Sequence, residues 1–244
     1  MTRPAGYNWS GFLRVMILGL WIIGFLWLLN GARYQTFLQT RLWPLFVGAD
    51  VLLLLFFTAA YLRLGRPANH GAGIWARGGQ AALLALPLVY MFTSASSGGL
   101  GGSAFRQRSV TGEAGSMFNS RSEKKPVEYS ADHVNDVTLI QVVNDVDQLK
   151  GKRVSLIGRV YHDETLPPDQ FILYRFIIIC CAADAIPIGV PIQHADAATW
   201  PADKWLRAEG VITVQTLDGE STPCVVADKI EPIEPPANPY LSPF

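Results

Sequence analysis

The sequence predicts a membrane α-helical front half followed by an all-β domain, an OB-like, partly open five-stranded barrel. Three observations carry this fold class. Two long apolar stretches fall within residues 12–29 and 44–62. From residue 129 the pattern changes to short alternating segments separated by turn residues. Charge is also divided: residues 1–126 hold 12 Lys/Arg against 3 Asp/Glu, a net +9, and residues 127–244 hold 8 against 17, a net −9. A basic, apolar front suits anionic lipid headgroups. An acidic back argues against nucleic acid as a partner, because neutralising phosphates needs surplus Lys and Arg.

Residues 12–29 (FLRVMILGLWIIGFLWLL) are apolar except for Arg14, which can snorkel from near the start. No small-x-small cleavage site follows, so this reads as a retained span and not a signal peptide. Residues 44–62 form the second span, opened by Trp43 and Pro44 and closed by Tyr61 and Arg63, residues suited to the interface. Asp50 lies six residues after Pro44, about 9 Å along the helix. An acid at that depth is a functional candidate; the alternative is a place near the headgroups or a cap on a neighbouring helix. Residues 80–97 are read as a third span, with a short apolar centre, an internal Pro87 and small residues that suit close helix packing.

Three spans with the N-terminus inside put the acidic tail outside the cytoplasm and leave Arg63, Arg66 and Arg77 in a cytoplasmic loop. Arg106, Arg108, Arg121, Lys124 and Lys125 oppose that orientation, and two spans would reverse it. The expected divisions are a membrane region over 1–99, a Gly/Ser-rich flexible linker over 100–126, the β-domain over 127–236 and a tail over 237–244.

Within the β-domain, residues 137–143 are a short strand candidate and 145–149 a helical turn. Residues 152–162 (KRVSLIGRVYH) alternate, with Val154, Leu156, Gly158 and Val160 on one face and Gly158 marking a bulge or bend. Residues 171–185 (FILYRFIIICCAADA) have the apolar density of a span but about half the length one requires. They read as a buried strand that ends at the cysteines. Residues 186–193 carry Pro187 and Pro191 and so predict an edge or irregular strand. Residues 204–215, with a central Gly210, and 223–233 are the fourth and fifth barrel strands, joined by a turn at 217–220. Five strands with interior glycines fit the OB-like barrel.

The strings GKRVSLIGRVY, RFIIICCAADAIPIGV, WLRAEGVI and VVADKIEPIEPPANPY resemble the tail of the YcgQ-type permease-subunit family. LPLVYMFTSASSGGLGGSAFRQRSV is similar to that family's final span and exit, with Ser and Gly replacing its usual proline. The specific signature is Arg-Phe-x-x-x-Cys-Cys-x-Ala-Asp-Ala, met here by Arg175, Phe176, Cys180, Cys181, Ala183, Asp184 and Ala185. The resemblance implies a multi-pass protein of the bacterial plasma membrane, accompanied by a larger multi-span permease.

Two of the three cysteines sit side by side and an acid follows within five residues. Three cysteines are too few for a disulfide framework, and no CxxC pair supports a zinc ribbon. Cys180, Cys181 and Asp184, helped by His162 or His194, are a candidate zinc site of thiolate, carboxylate and imidazole ligands. Adjacent residues of a strand face opposite ways, so the site requires the strand to end there. The alternatives are buried structural thiols and, for a tail outside the cytoplasm, a disulfide from Cys224 to Cys180 or Cys181. Asp184 alternatively accepts turn amides. Arg175 is expected at the barrel surface or paired with Asp184 or Glu209. Tyr174, Phe176, Trp200 and Trp205 are a possible stacking surface, with packing as their default role. His70 and His133 have no identifiable partners. No Walker, Rossmann, GxSxG or HExxH pattern occurs, so no enzyme is expected. The function expected is an accessory subunit of a transport system. The alternatives are an independent membrane-anchored metal-binding or chaperoning module, or a thiol-redox enzyme.

Overall fold

In the computed structural model, residues 9–64, 74–95, 99–109, 128–130, 133–217 and 220–241 are described. They divide into two units, Met1–Gly99 and Leu100–Phe244. The first contains α1 (Trp9–Leu29), α2 (Trp43–Leu62) and α3 (Ile74–Ala95). Pro44 opens α2 at a position where its missing N–H costs no helical bond. Gly11–Leu29 and Thr40–Leu62 are long and apolar enough to cross a membrane, judged by length and composition. The expected third span does form a helix, but its apolar run, Ala82–Thr93, is shorter and falls below the roughly 20 residues a bilayer needs.

Leu28, Tyr34, Phe46, Leu88 and Met91 form the centre of this unit. The Trp21 indole N–H donates to Leu84 O at 3.2 Å, tying α1 to the turn of α3 before Pro87. The surface of α2 is inverted relative to a helix in water. It exposes Leu45, Val51, Leu52, Leu54, Leu55, Phe56 and Leu62, and buries Phe46 and Asp50.

The second unit begins with α4 (Gly102–Ser109), in the stretch expected to be linker. Phe105 of α4 is buried in an aromatic cluster of the β-domain, which a flexible linker would not be. Residues 110–126, the remainder of that stretch, lie outside the described residues, as does residue 127. Next come β1 (Asn135–Asp136), α5 (Leu139–Asn144) and α6 (Val146–Leu149). The strand expected over 137–143 is therefore a helix. Thr138 caps it reciprocally with Gln141, and the buried Leu139 and Val142 stand three apart, so one helical face meets the core.

The remaining strands are β2 (Arg153–Tyr161), β3 (Gln170–Ile177), β4 (Ile186–Gln193), β5 (Trp205–Leu217), β6 (Glu220–Pro232) and β7 (Tyr240–Leu241). The strands β2 to β6 make a partly closed ring of five. The β2–β3, β3–β4, β2–β5 and β5–β6 pairs are antiparallel. The ring closes through a parallel β4–β6 contact at Ile192↔Val225 and Gln193↔Val226 alone. The length of β4 that carries Pro187 and Pro191 thus pairs only with β3, which is how two prolines fit inside a sheet. β7 pairs with β3 in parallel, so part of the expected C-terminal tail belongs to the sheet.

Gly158 does not mark a bulge. A Cβ there would lie 2.7 Å from Leu173 Cγ and 3.0 Å from Tyr174 O, so it allows β2 and β3 to approach. The register shift lies instead between Glu209 and Gly210 of β5, opposite β6. A Cβ on Gly210 would lie 2.1 Å from Val226 O. The interior is filled by Val154, Leu156, Phe171, Leu173, Ile192, Leu206 and Val225, among others. β3 is covered on both sides. Phe171, Leu173 and Ile177 face the ring interior, and Tyr174, Phe176 and the following Ile178 join Phe105 and Tyr240 outside it. Two covered faces explain an apolar run without the alternation of a half-exposed strand.

Candidate thiol-carboxylate site

β3 ends at Ile177, three residues before Cys180, and Ala182–Asp184 forms a 3-10 turn. Leaving the pleat frees the two adjacent cysteines from opposite-facing geometry. Their sulfurs lie 3.7 Å apart. The ligand atoms of Cys180, Cys181 and Asp184 all fall within 4.8 Å of one another. Cys180 is exposed and Cys181 half-buried.

Asp184 organises the turn. Its Oδ1 accepts from the Ile179 N–H at 3.0 Å; its Oδ2 accepts from the N–H groups of Cys180 at 2.8 Å and Cys181 at 3.2 Å. The Cys180 S–H gives the carboxylate its fourth bond, to Oδ2 at 2.7 Å. Partial burial acts to raise the Asp184 pKa, but the bonds from the Cys180 thiol and three amides outweigh it and hold the carboxyl below its ordinary value. The same carboxylate, followed by the neighbouring Cys181, pushes the Cys180 thiol up to about 12. Asp184 therefore accepts turn amides, as one sequence reading expected, and still directs one oxygen at a thiol.

The two histidines are not part of this cluster. His162 Nε2 lies 2.7 Å from Trp200 O. His194 Nδ1 accepts from the Asp196 N–H at 3.1 Å. Cys224 is a buried free cysteine in β6, where burial pushes its thiol up to about 11; no disulfide joins it to Cys180 or Cys181. His133 lies in the turn before β1, where its O accepts from Asn135, and His70 falls outside the described residues.

Arg175 pairs with neither Asp184 nor Glu209. It donates to Asn238 O at 2.8 Å, Tyr240 O at 3.1 Å and Pro239 O at 3.3 Å, and its guanidinium lies 5.6 Å from the Trp205 ring centroid. Burial pulls its pKa down to about 10, still charged at neutral pH. It straps the C-terminal segment onto β3. Phe176 and Ala185 are buried in the outer aromatic cluster, whereas Ala183 is exposed. Tyr174, Phe176 and Trp205 are all buried and Trp200 packs against the core, so these rings offer no open stacking surface.

Sequence reasoning missed a second polar centre at Asp203, whose φ of 65° is left-handed. Its carboxylate accepts from Gly102 N at 2.8 Å and from the Tyr174 hydroxyl, and pairs with Arg159 at 3.5 Å. Burial, then the bond to Asp203, raises the Tyr174 pKa. Arg159 also donates to Leu100 O at 2.9 Å, and the Tyr240 hydroxyl accepts from Leu100 N at 3.3 Å. Asp203 and Arg159 thereby anchor the start of α4. The paired Gly101-Gly102 ahead of Phe105 was the available signal, but nothing in the spacing connected it to a residue a hundred positions on.

The fold and site define a class: a small β-ring carrying a dithiol-carboxylate turn, in a chain that begins with two helices of membrane length. The chain belongs to the family of the DUF1980 C-terminal domain, a YcgQ-type domain, whose model matches residues 105–243. That match includes Phe105 of α4 and the whole thiol turn. No curated protein matches the chain.

Proposed function

We propose that this protein is a membrane-anchored accessory subunit of a transport system, and that its β-domain binds a thiophilic divalent cation such as zinc. The observation that carries the cation reading is the turn at Cys180–Asp184, where two thiols and a carboxylate converge at the surface. A zinc ion with Zn–S bonds of about 2.3 Å in tetrahedral geometry would set its two sulfurs about 3.8 Å apart; these sulfurs stand at 3.7 Å. The ion would take the place of both thiol protons, Cys180's and Cys181's, which are released to solvent, and Asp184 Oδ2 would exchange the Cys180 S–H for a metal bond while keeping its amides. Three protein ligands leave the fourth position to water or to a donor from a partner, as a delivery site requires.

The inverted surface of α2 supports the membrane reading, because outward leucines belong in lipid or against another apolar chain. Asp50 supports the partner. It is 5% exposed among apolar helices, and its Oδ1 has no hydrogen-bond partner among the described residues. Such a group is costly in hydrocarbon unless a neighbouring subunit or a transported cation satisfies it. The partly closed ring of five strands supports an OB-like barrel, yet α4 and the C-terminal segment cover the aromatic residues of β3, which opposes an oligonucleotide ligand.

The test is purification of the tagged full chain from its native membrane in mild detergent. A multi-span protein should copurify with the wild type and be depleted with Asp50→Asn. Recovery of the chain alone, equally in both, would remove the subunit reading and leave an independent metal-binding module.

A further inference from the structure

The thiol turn is held from a second side. Between Ile178 and the start of β4 the backbone leaves the sheet ladder, so few bonds fix its path. One set is internal, the amides gathered by Asp184. The other comes from α4: Arg108 Nη1 donates to Ala185 O at 2.5 Å and Ala182 O at 3.2 Å. These two carbonyls bracket Asp184 in sequence, and one nitrogen with two hydrogens serves both. Asp184 gathers N–H groups of the turn while Arg108 gathers its C=O groups. Together they select one arrangement of the peptide dipoles.

Arg108 is held in place by the helix that carries it. It stands three residues after Phe105, on the same helical side. The Phe105 ring lies 4.6 Å from Tyr174, 5.0 Å from Tyr161 and 6.4 Å from Phe176, centroid to centroid. The other end of α4 is fixed by Asp203 to Gly102 and by Arg159 to Leu100. The helix can therefore neither slide nor rotate without breaking contacts at both ends.

We propose that Arg108 is a positioning residue for the cation site, and that seating of α4 and metal occupancy are thermodynamically linked. The inference rests on the cation reading given above. A guanidinium near a cation site opposes metal binding by charge alone, so any benefit it gives must come through the geometry of the turn. Linkage is reciprocal: if a seated α4 favours the metal-ready turn, a bound metal favours a seated α4 by the same factor. Partners that orient metal ligands from outside the coordination sphere commonly change affinity about 10- to 100-fold when removed. In chain order α4 is the first element after the unit Met1–Gly99, so occupancy at the turn acts on the segment that leads from the apolar helices.

The experiment uses the full chain in detergent and zinc alone as probe. Zinc affinity is measured by competition with a chromophoric chelator for wild type, Arg108→Gln and Arg108→Lys, and hydrogen exchange over residues 101–109 is followed with and without zinc. The expected result is a 10- to 100-fold loss for Arg108→Gln, a smaller loss for Arg108→Lys, and exchange in α4 slowed by zinc in the wild type, less in Arg108→Lys and not in Arg108→Gln. Unchanged or tighter binding by Arg108→Gln, or exchange in α4 indifferent to zinc, overturns the proposal. If Arg108→Gln does not fold, Arg108→Lys and wild-type exchange decide. If the wild type takes up no zinc, the cation reading fails, and the positioning role is then read from alkylation of Cys180 and Cys181. Rates raised several-fold by Arg108→Lys retain that role, and equal rates remove it.

Discussion

Replacing Phe105 by Ala tests whether α4 is part of the folded domain. Phe105 is 5% exposed, and its ring meets Tyr161, Tyr174 and Phe176. Truncating a buried Phe to Ala costs about 3 to 5 kcal/mol. Here the loss is capped by the docking free energy of α4, because a helix this short can detach while the ring of strands persists. The bonds from Leu100, Gly102 and Arg108 would be given up with it, so we place the effect at about 3 kcal/mol. For a unit of this size that lowers the melting temperature by about 10 °C. The assay is thermal unfolding of the full chain in detergent, followed by near-ultraviolet circular dichroism, with alkylation of Cys180 and Cys181 as a local readout. A loss below about 1 kcal/mol, with unaltered thiol reactivity, would refute the seating of α4 and return the stretch to a linker.

Gly210→Ala should destabilise the β-domain by at least about 2 kcal/mol, because its Cβ would lie 2.1 Å from Val226 O; chemical denaturation checks this. Asp184 has a folded-state pKa below its unfolded value of about 3.9, so its stabilising contribution is complete above that value and is lost as pH falls through the lower folded value. An acid titration of stability should therefore be shallower for Asp184→Asn than for the wild type below about pH 4. Asp50→Leu should raise the thermal stability of the chain purified alone in detergent, since a buried oxygen without a partner among the described residues is removed, while lowering recovery of its membrane partner. A lowered melting temperature for Asp50→Leu would show that Asp50 is satisfied within the chain.

Much of the β-ring was legible because its signals are local. Alternation gave β2, an apolar run too short for a bilayer gave β3, and prolines marked the edge-like length of β4, which is otherwise a regular strand. The end of β3 before the cysteines was legible for the same reason, and with it the convergence of Cys180, Cys181 and Asp184. The helix at Leu139–Asn144 was misread because its β-branched residues favour strands, although the Thr138 and Gln141 pair was a visible capping signal. α4 was missed because a short helix with one large apolar residue has no period to detect. The partners of Arg175 were illegible in principle: they are backbone carbonyls of residues 238–240, brought in by tertiary folding, and any side chain at those positions would present them. The two histidines lie outside the cluster of Cys180, Cys181 and Asp184, and sequence spacing carries no information on which loops tertiary folding brings together.

The most direct test of the cation site is the metal content of the full chain, purified without chelator from zinc-supplied cells, beside the Cys180→Ser/Cys181→Ser double variant. The account predicts one zinc per wild-type chain and none in the variant. It also predicts that chelator lowers the wild-type melting temperature towards that of the variant, because a bound metal stabilises the state that binds it. Equal metal content in the two proteins, or a metal-free wild type whose melting is unchanged by zinc and chelator alike, would contradict it.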